Sequence, residues 1–71
     1  MMPLSMAKSG ETNYIRKITG KDDVRQHLAE LGFVVGECVT VVSVTSGNMM
    51  ILHVKDSRIA LDKTMANRII I

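Results

Sequence analysis

Aromatic residues are almost missing from this chain of 71 residues: there is no tryptophan, and Tyr14 and Phe33 stand alone. A core built on aromatics is therefore excluded. The apolar share of 46% must pack as an aliphatic core of Val, Ile, Leu and Met. Cysteine is nearly absent too. The lone Cys38 rules out an intramolecular disulfide framework and suits a reducing compartment, the cytosol. Charge is sparse and mixed, nine basic against seven acidic residues, with no basic run longer than Arg16-Lys17. A formal charge of +2 is too small for a nucleic-acid signature. No stretch approaches the ~18 apolar residues of a membrane span, and Met1 to Gly10 lacks the charged start and long apolar run of a signal segment. The expectation is a cytoplasmic chain with no direct membrane insertion, one that reaches an inner membrane only peripherally, through a partner. Without disulfide or metal, its length lies near the lower limit for unaided folding, which leaves homo-oligomerisation open.

What is present specifies a scaffold. Asp23, with Gln26 three residues later, has the spacing of a capping box at the start of a helix. Val24, Leu28 and Leu31 then form one apolar stripe. Gly32 suits the left-handed position that ends a helix, and Phe33 is placed to fold back on Leu28 in a Schellman closure. Gly36 turns the chain into Val39 and Val41.

Upstream, Thr12 to Ile18 reads as a strand ending at Gly20. Downstream, Glu37 to Thr45 reads as a strand whose blurred alternation implies a bulge or burial of both faces. Ser46-Gly47-Asn48 joins it to Met49–Lys55 as a hairpin, and Asp56-Ser57 turns into Arg58 to Leu61. Asp62 can cap one helical turn over Lys63 to Ala66, before a last strand at Asn67 to Ile71. The pattern predicts one mainly-β domain over residues 1–71, with residues 1–10 loosely ordered. Its architecture is a small, partly open SH3-like barrel of about five strands, with one short α-helix after the first. An OB-fold competes, but it places its helix between the third and fourth strands. The expected core is Ile15, Ile18, Leu28, Leu31, Val39, Val41, Leu52, Val54, Ile59, Leu61, Ile69 and Ile71.

Candidate chemistry is thin. His27, Cys38 and His53 are the metal-ligand candidates, none at a ligand spacing such as C-x-x-C or H-x-x-x-H. Ordinary helix, strand and core roles explain all three. A minority reading joins two of them with Asp56 or Glu37 around a divalent metal. No cofactor is expected, and weak divalent-metal binding stays open. Cys38 has no basic neighbour in sequence and no helix dipole to activate it, so nucleophilic catalysis is disfavoured and the chain reads as no enzyme. RNA binding would have to rely on Tyr14 alone for stacking. The remaining signal is surplus apolar surface: neighbours on a strand point to opposite sides, so some of Met49, Met50, Ile51, Ile70, Val34 and Val35 must face outward.

One resemblance covers nearly the whole chain. Gly10, Ile15, Ile18, Gly20, Arg25, Leu28, Glu30-Leu31-Gly32-Phe33, Gly36, Val39 and Val41, then Ile59-Ala60-Leu61, Ala66, Ile69 and Ile71, resemble the FeoA-type ferrous iron transport proteins. Related SH3-like domains close some metal-dependent repressors, but this chain has no room for their DNA-binding domain. The resemblance implies a cytosolic accessory protein that docks on a membrane ferrous iron transporter bearing a GTPase domain. The candidate contacts are Arg25 and His27 on the helix, Phe33, Val34 and Val35 at its exit, and Met49, Met50 and Ile51 in the hairpin. A small metal-binding or metal-sensing protein is the alternative, with an RNA-binding SH3-like module third.

Overall fold

Alternation along the central hairpin lays out the architecture. In the computed structural model, which describes residues 1–71, Val39 and Val41 of β3 (Cys38–Val44) and Met50, Leu52 and Val54 of β4 (Met49–Val54) are buried on one face. Strands β1 (Thr12–Tyr14), β3, β4 and β5 (Ser57–Asp62) form an antiparallel sheet in the order β1-β3-β4-β5. A second sheet pairs β2 (Lys17–Ile18) with β6 (Ile69–Ile70). Helix α1 (Asp22–Glu30) follows β2, and the single turn α2 (Lys63–Ala66) follows β5. Because β1 and β5 each have one neighbour, the larger sheet stays open: a mainly-β, SH3-like fold, as expected.

Several local expectations hold. The β3–β4 register shifts between Val41 and Ser43, which is the bulge that blurred the alternation. Asp62 Oδ1 accepts the Met65 N–H at 2.8 Å and caps α2. At the end of α1, the Phe33 N–H reaches the Leu28 carbonyl at 2.9 Å and the Gly32 N–H reaches that of Ala29 at 3.0 Å, the two bonds of a Schellman closure. Gly32 has φ +107°, and a Cβ there would meet only ordinary contacts, Val54 Cγ1 at 3.6 Å. Gly32→Ala is therefore expected to lose about 1 kcal/mol from backbone conformation alone, read as a lower urea midpoint at unchanged slope.

Three expectations are corrected. The capping box does not form: α1 starts at Asp22, with Lys21 as a cap residue that makes no side-chain bond. Asp23 thus sits inside the first turn, where its Oδ1 accepts the adjacent Val24 N–H at 2.9 Å and cannot span back over the helix start. Both aspartates still favour the positive end of the helix dipole. The first strand is two strands. The Ile15 N–H bonds to Glu37 and the next one, Arg16, to Ile70, so the chain changes partners at a corner pinned by buried Ile15.

Residues 1–10 are not loose. Met2 exchanges backbone bonds of 3.0 and 2.8 Å with Ile71, Pro3 bridges Ile70, and Leu4, in a 3₁₀ turn over Leu4–Met6, has no exposed surface. One cluster holds all 14 buried residues. It includes nine of the expected core residues, while Ile18, Leu31 and Ile59 pack against it half-buried. Leu4, Ala7, Phe33, Met50 and Ala66 complete it.

Candidate functional site

The expected docking residues divide by burial. On α1, Arg25 and His27 are exposed, and Arg25 is tied at 3.1 Å to Asp22, the single ion pair of the molecule. After the helix, a turn is fixed at both ends: the Val34 N–H bonds to Gly32, the Glu37 N–H to Val34, and the Gly36 N–H to Ile15 at 2.8 Å. Val35 stands at its tip, 65% exposed, beside half-buried Val34.

Phe33 and Met50 cannot be contact residues in this fold, since neither has accessible surface. Phe33 is drawn inward by the Schellman closure. Met50 is opposite Leu61 and Val44 in the ladders, and its place in the alternation of β4 points it into the core. Met49 and Ile51 keep partial exposure. Met1, Met6, Tyr14 and Val44, none of them among the expected docking residues, are also exposed. Alternation beside buried Ile15 marks Tyr14 as outward-facing.

The metal-ligand candidates are spread over the molecule. His27 lies on the exposed face of α1, whereas Cys38 is half-buried on β3 opposite Tyr14. His53 lies on the outer sheet face between Thr40 and Arg58, its Nε2 2.9 Å from the Lys55 carbonyl oxygen. No three of the histidine, cysteine, aspartate and glutamate side chains gather into a group that could hold a metal ion. The outer face reads Thr12-Thr40-His53-Arg58 across the sheet, with a 2.8 Å bond between the threonine hydroxyls. Tyr14 is the only aromatic on it. Beside β1 lies a cleft of about 380 Å³, lined by Met1, Met2 and Ile71 together with Thr12, Asn13, Tyr14 and Arg16.

The arrangement offers apolar and backbone contact surface. The chain superposes with a TM-score of 0.88 on an iron uptake regulatory protein, FeoA, at 28% identity, covering 96% of this chain and 89% of that one. The zinc complex of FeoA from Stenotrophomonas maltophilia, a prokaryotic SH3-domain protein, also matches at 28% identity. There the TM-score is 0.84 and coverage is 99% and 88%. A manganese-dependent transcriptional repressor shares the fold alone, at 16% identity and TM-score 0.86, with 94% of this chain spanning 38% of that one. Among curated proteins, none matches significantly. The FeoA domain model matches residues 2–71, and by that match the chain belongs to the FeoA domain family.

Proposed function

We propose that this chain is a non-enzymatic accessory protein of ferrous iron transport that docks on the cytosolic, GTPase-bearing part of a membrane iron transporter. The observation that carries the reading is the family match over residues 2–71, together with nearly full coverage of two FeoA proteins. One of those relatives is described as an iron uptake regulatory protein, the other as a candidate activating factor of ferrous iron transport. No helix is long and apolar enough to cross a membrane, so this reading assigns the membrane passage to the partner. Val35 and Val34, with partial help from Met49 and Ile51, supply the apolar contact; Arg25 and His27 supply the polar alternative on α1.

Calorimetry with the transporter's cytosolic domain tests it. Binding should be modest, since one face of so small a domain offers only about 800 Å². It should also change little with salt, because no dense charge patch steers it. Val35→Glu should weaken binding about tenfold at unchanged melting temperature, the loss expected when an apolar contact residue is given a desolvation cost. Arg25→Glu with His27→Glu should weaken it if the partner reads the helix instead. Full affinity in both variants would remove both faces and, with them, the docking reading.

A further inference from the structure

Strand β1 presents a free edge. Along β3 its odd-numbered residues make the ladder: the Val41 N–H bonds to Glu11 and the Ile15 N–H to Glu37, both at 2.9 Å, with Asn13 opposite Val39 between them. In an antiparallel pair the alternate residues turn their backbone groups the other way. Thr12 and Tyr14 are those residues, so each directs one N–H and one C=O away from the sheet, and neither takes part in any of the turn or loop bonds. These groups open on the cleft of about 380 Å³, whose far wall is Met1, Met2 and Ile71 from the strand pairing of the chain ends.

Proteins protect such edges with lysine, proline, bulges or charge, or by keeping the strand very short. The β5 edge follows that rule, carrying Arg58 and Asp62. Thr12, Asn13 and Tyr14 are protected only by the shortness of the strand, with no charge, proline or bulge among them, and Tyr14 is 68% exposed. We infer that the outer edge of β1 is a strand-addition site for an extended segment of a protein partner, one with an acidic residue beside apolar ones. Backbone pairing to Thr12 and Tyr14 supplies the register, and alternate partner side chains meet Tyr14 on one side and the Met1, Met2 and Ile71 wall on the other.

Charge chooses the occupant. Arg16, at the end of the cleft, is exposed and has no acidic partner, which favours a carboxylate on the incoming strand. A second copy of this chain would set two chains of charge +2 edge to edge across three residues. Like net charge works against that pairing, whereas an acidic segment is drawn to it. The inference concerns the backbone of β1 and stands whether or not the transporter supplies the strand.

The probe is a blocked peptide of roughly seven alternating valine and threonine residues with a central glutamate, titrated into the ¹⁵N-labelled full chain. The Thr12, Tyr14 and Arg16 amides should shift, hydrogen exchange at Thr12 and Tyr14 should slow about tenfold, and β5 should stay unmoved. The same peptide N-methylated at alternate residues should bind about tenfold more weakly, because it can no longer pair. Thr12→Pro removes an outward N–H without touching the Asn13 ladder and should abolish binding, whereas Thr12→Val keeps that N–H and should bind normally. Arg16→Glu should reverse the preference from the glutamate peptide to its lysine counterpart.

The N-methylated peptide decides the matter on the unaltered chain even if Thr12→Pro fails to fold. Absence of β1 shifts at millimolar peptide, shifts at β5 instead, or indifference to N-methylation would overturn the site. So would concentration-dependent self-association at the same amides in the absence of peptide, which would give the edge to a second copy.

Discussion

Phe33→Ala should lower the stability of the chain by about 3–5 kcal/mol, the cost of removing a buried aromatic and leaving its cavity. Phe33 is the largest fully buried side chain, at 0% exposure, in a core whose other members are aliphatic. No second aromatic is near enough in kind to fill the gap, since Tyr14 lies on the outer face. A domain of this size is held by only about 4–11 kcal/mol, at roughly 0.05–0.15 kcal/mol per residue. The variant should therefore be largely unfolded at moderate urea. Phe33→Leu removes less volume and should cost less than Phe33→Ala, and should keep partner affinity in full. Equilibrium urea unfolding of both variants checks the pair. A Phe33→Ala chain as stable as the parent would place the ring outside the core.

Leu4→Ala should cost about 2–5 kcal/mol, although it lies in a stretch with no regular pattern of its own. Leu4 is fully buried, and the 3₁₀ turn that carries it sits against α2 and β6. The turn is held by the Met2–Ile71 backbone pair and by a 3.0 Å bond from Ser5 Oγ to Asn67 Oδ1. Loss of Leu4 should loosen both chain ends together. Hydrogen exchange at the Ile71 amide, which bonds to Met2, should accelerate along with the drop in global stability. Exchange at Ile71 that matches the parent, with melting unchanged, would mean that residues 1–10 merely lie on the surface.

Phe33 and Leu4 also mark how far local sequence reading reached. Gly32 followed by Phe33 announced the helix exit correctly, because a Schellman closure is a contact between residues five apart and needs a left-handed residue that glycine supplies. Reading Phe33 as a surface contact failed for the same reason: the closure that the glycine signals turns the next side chain inward. Met49 and Met50 show the corresponding limit in a strand. Alternation says that one must be inside and one outside, but which is which depends on the register against β3 and β5, and the bulge between Val41 and Ser43 resets it.

Determined by the sequence alone were those features whose causes lie within a few residues: the α1 stripe and its glycine stop, the hairpin turn at Ser46 to Asn48, the Asp62 cap, and the family pattern spaced along them. The tertiary structure alone decided what depends on partners distant in the chain. Pairing with Ile70 and Ile71 orders the first residues and buries Leu4, and the switch of partners at Ile15 breaks one strand into two. The same pairing leaves the outer edge of β1 open on a cleft, because the backbone of Thr12 and Tyr14 has no further strand within reach. Backbone hydrogen-bonding capacity is carried alike by every residue except proline, so a sequence cannot show where it is left unspent; only the arrangement of strands does.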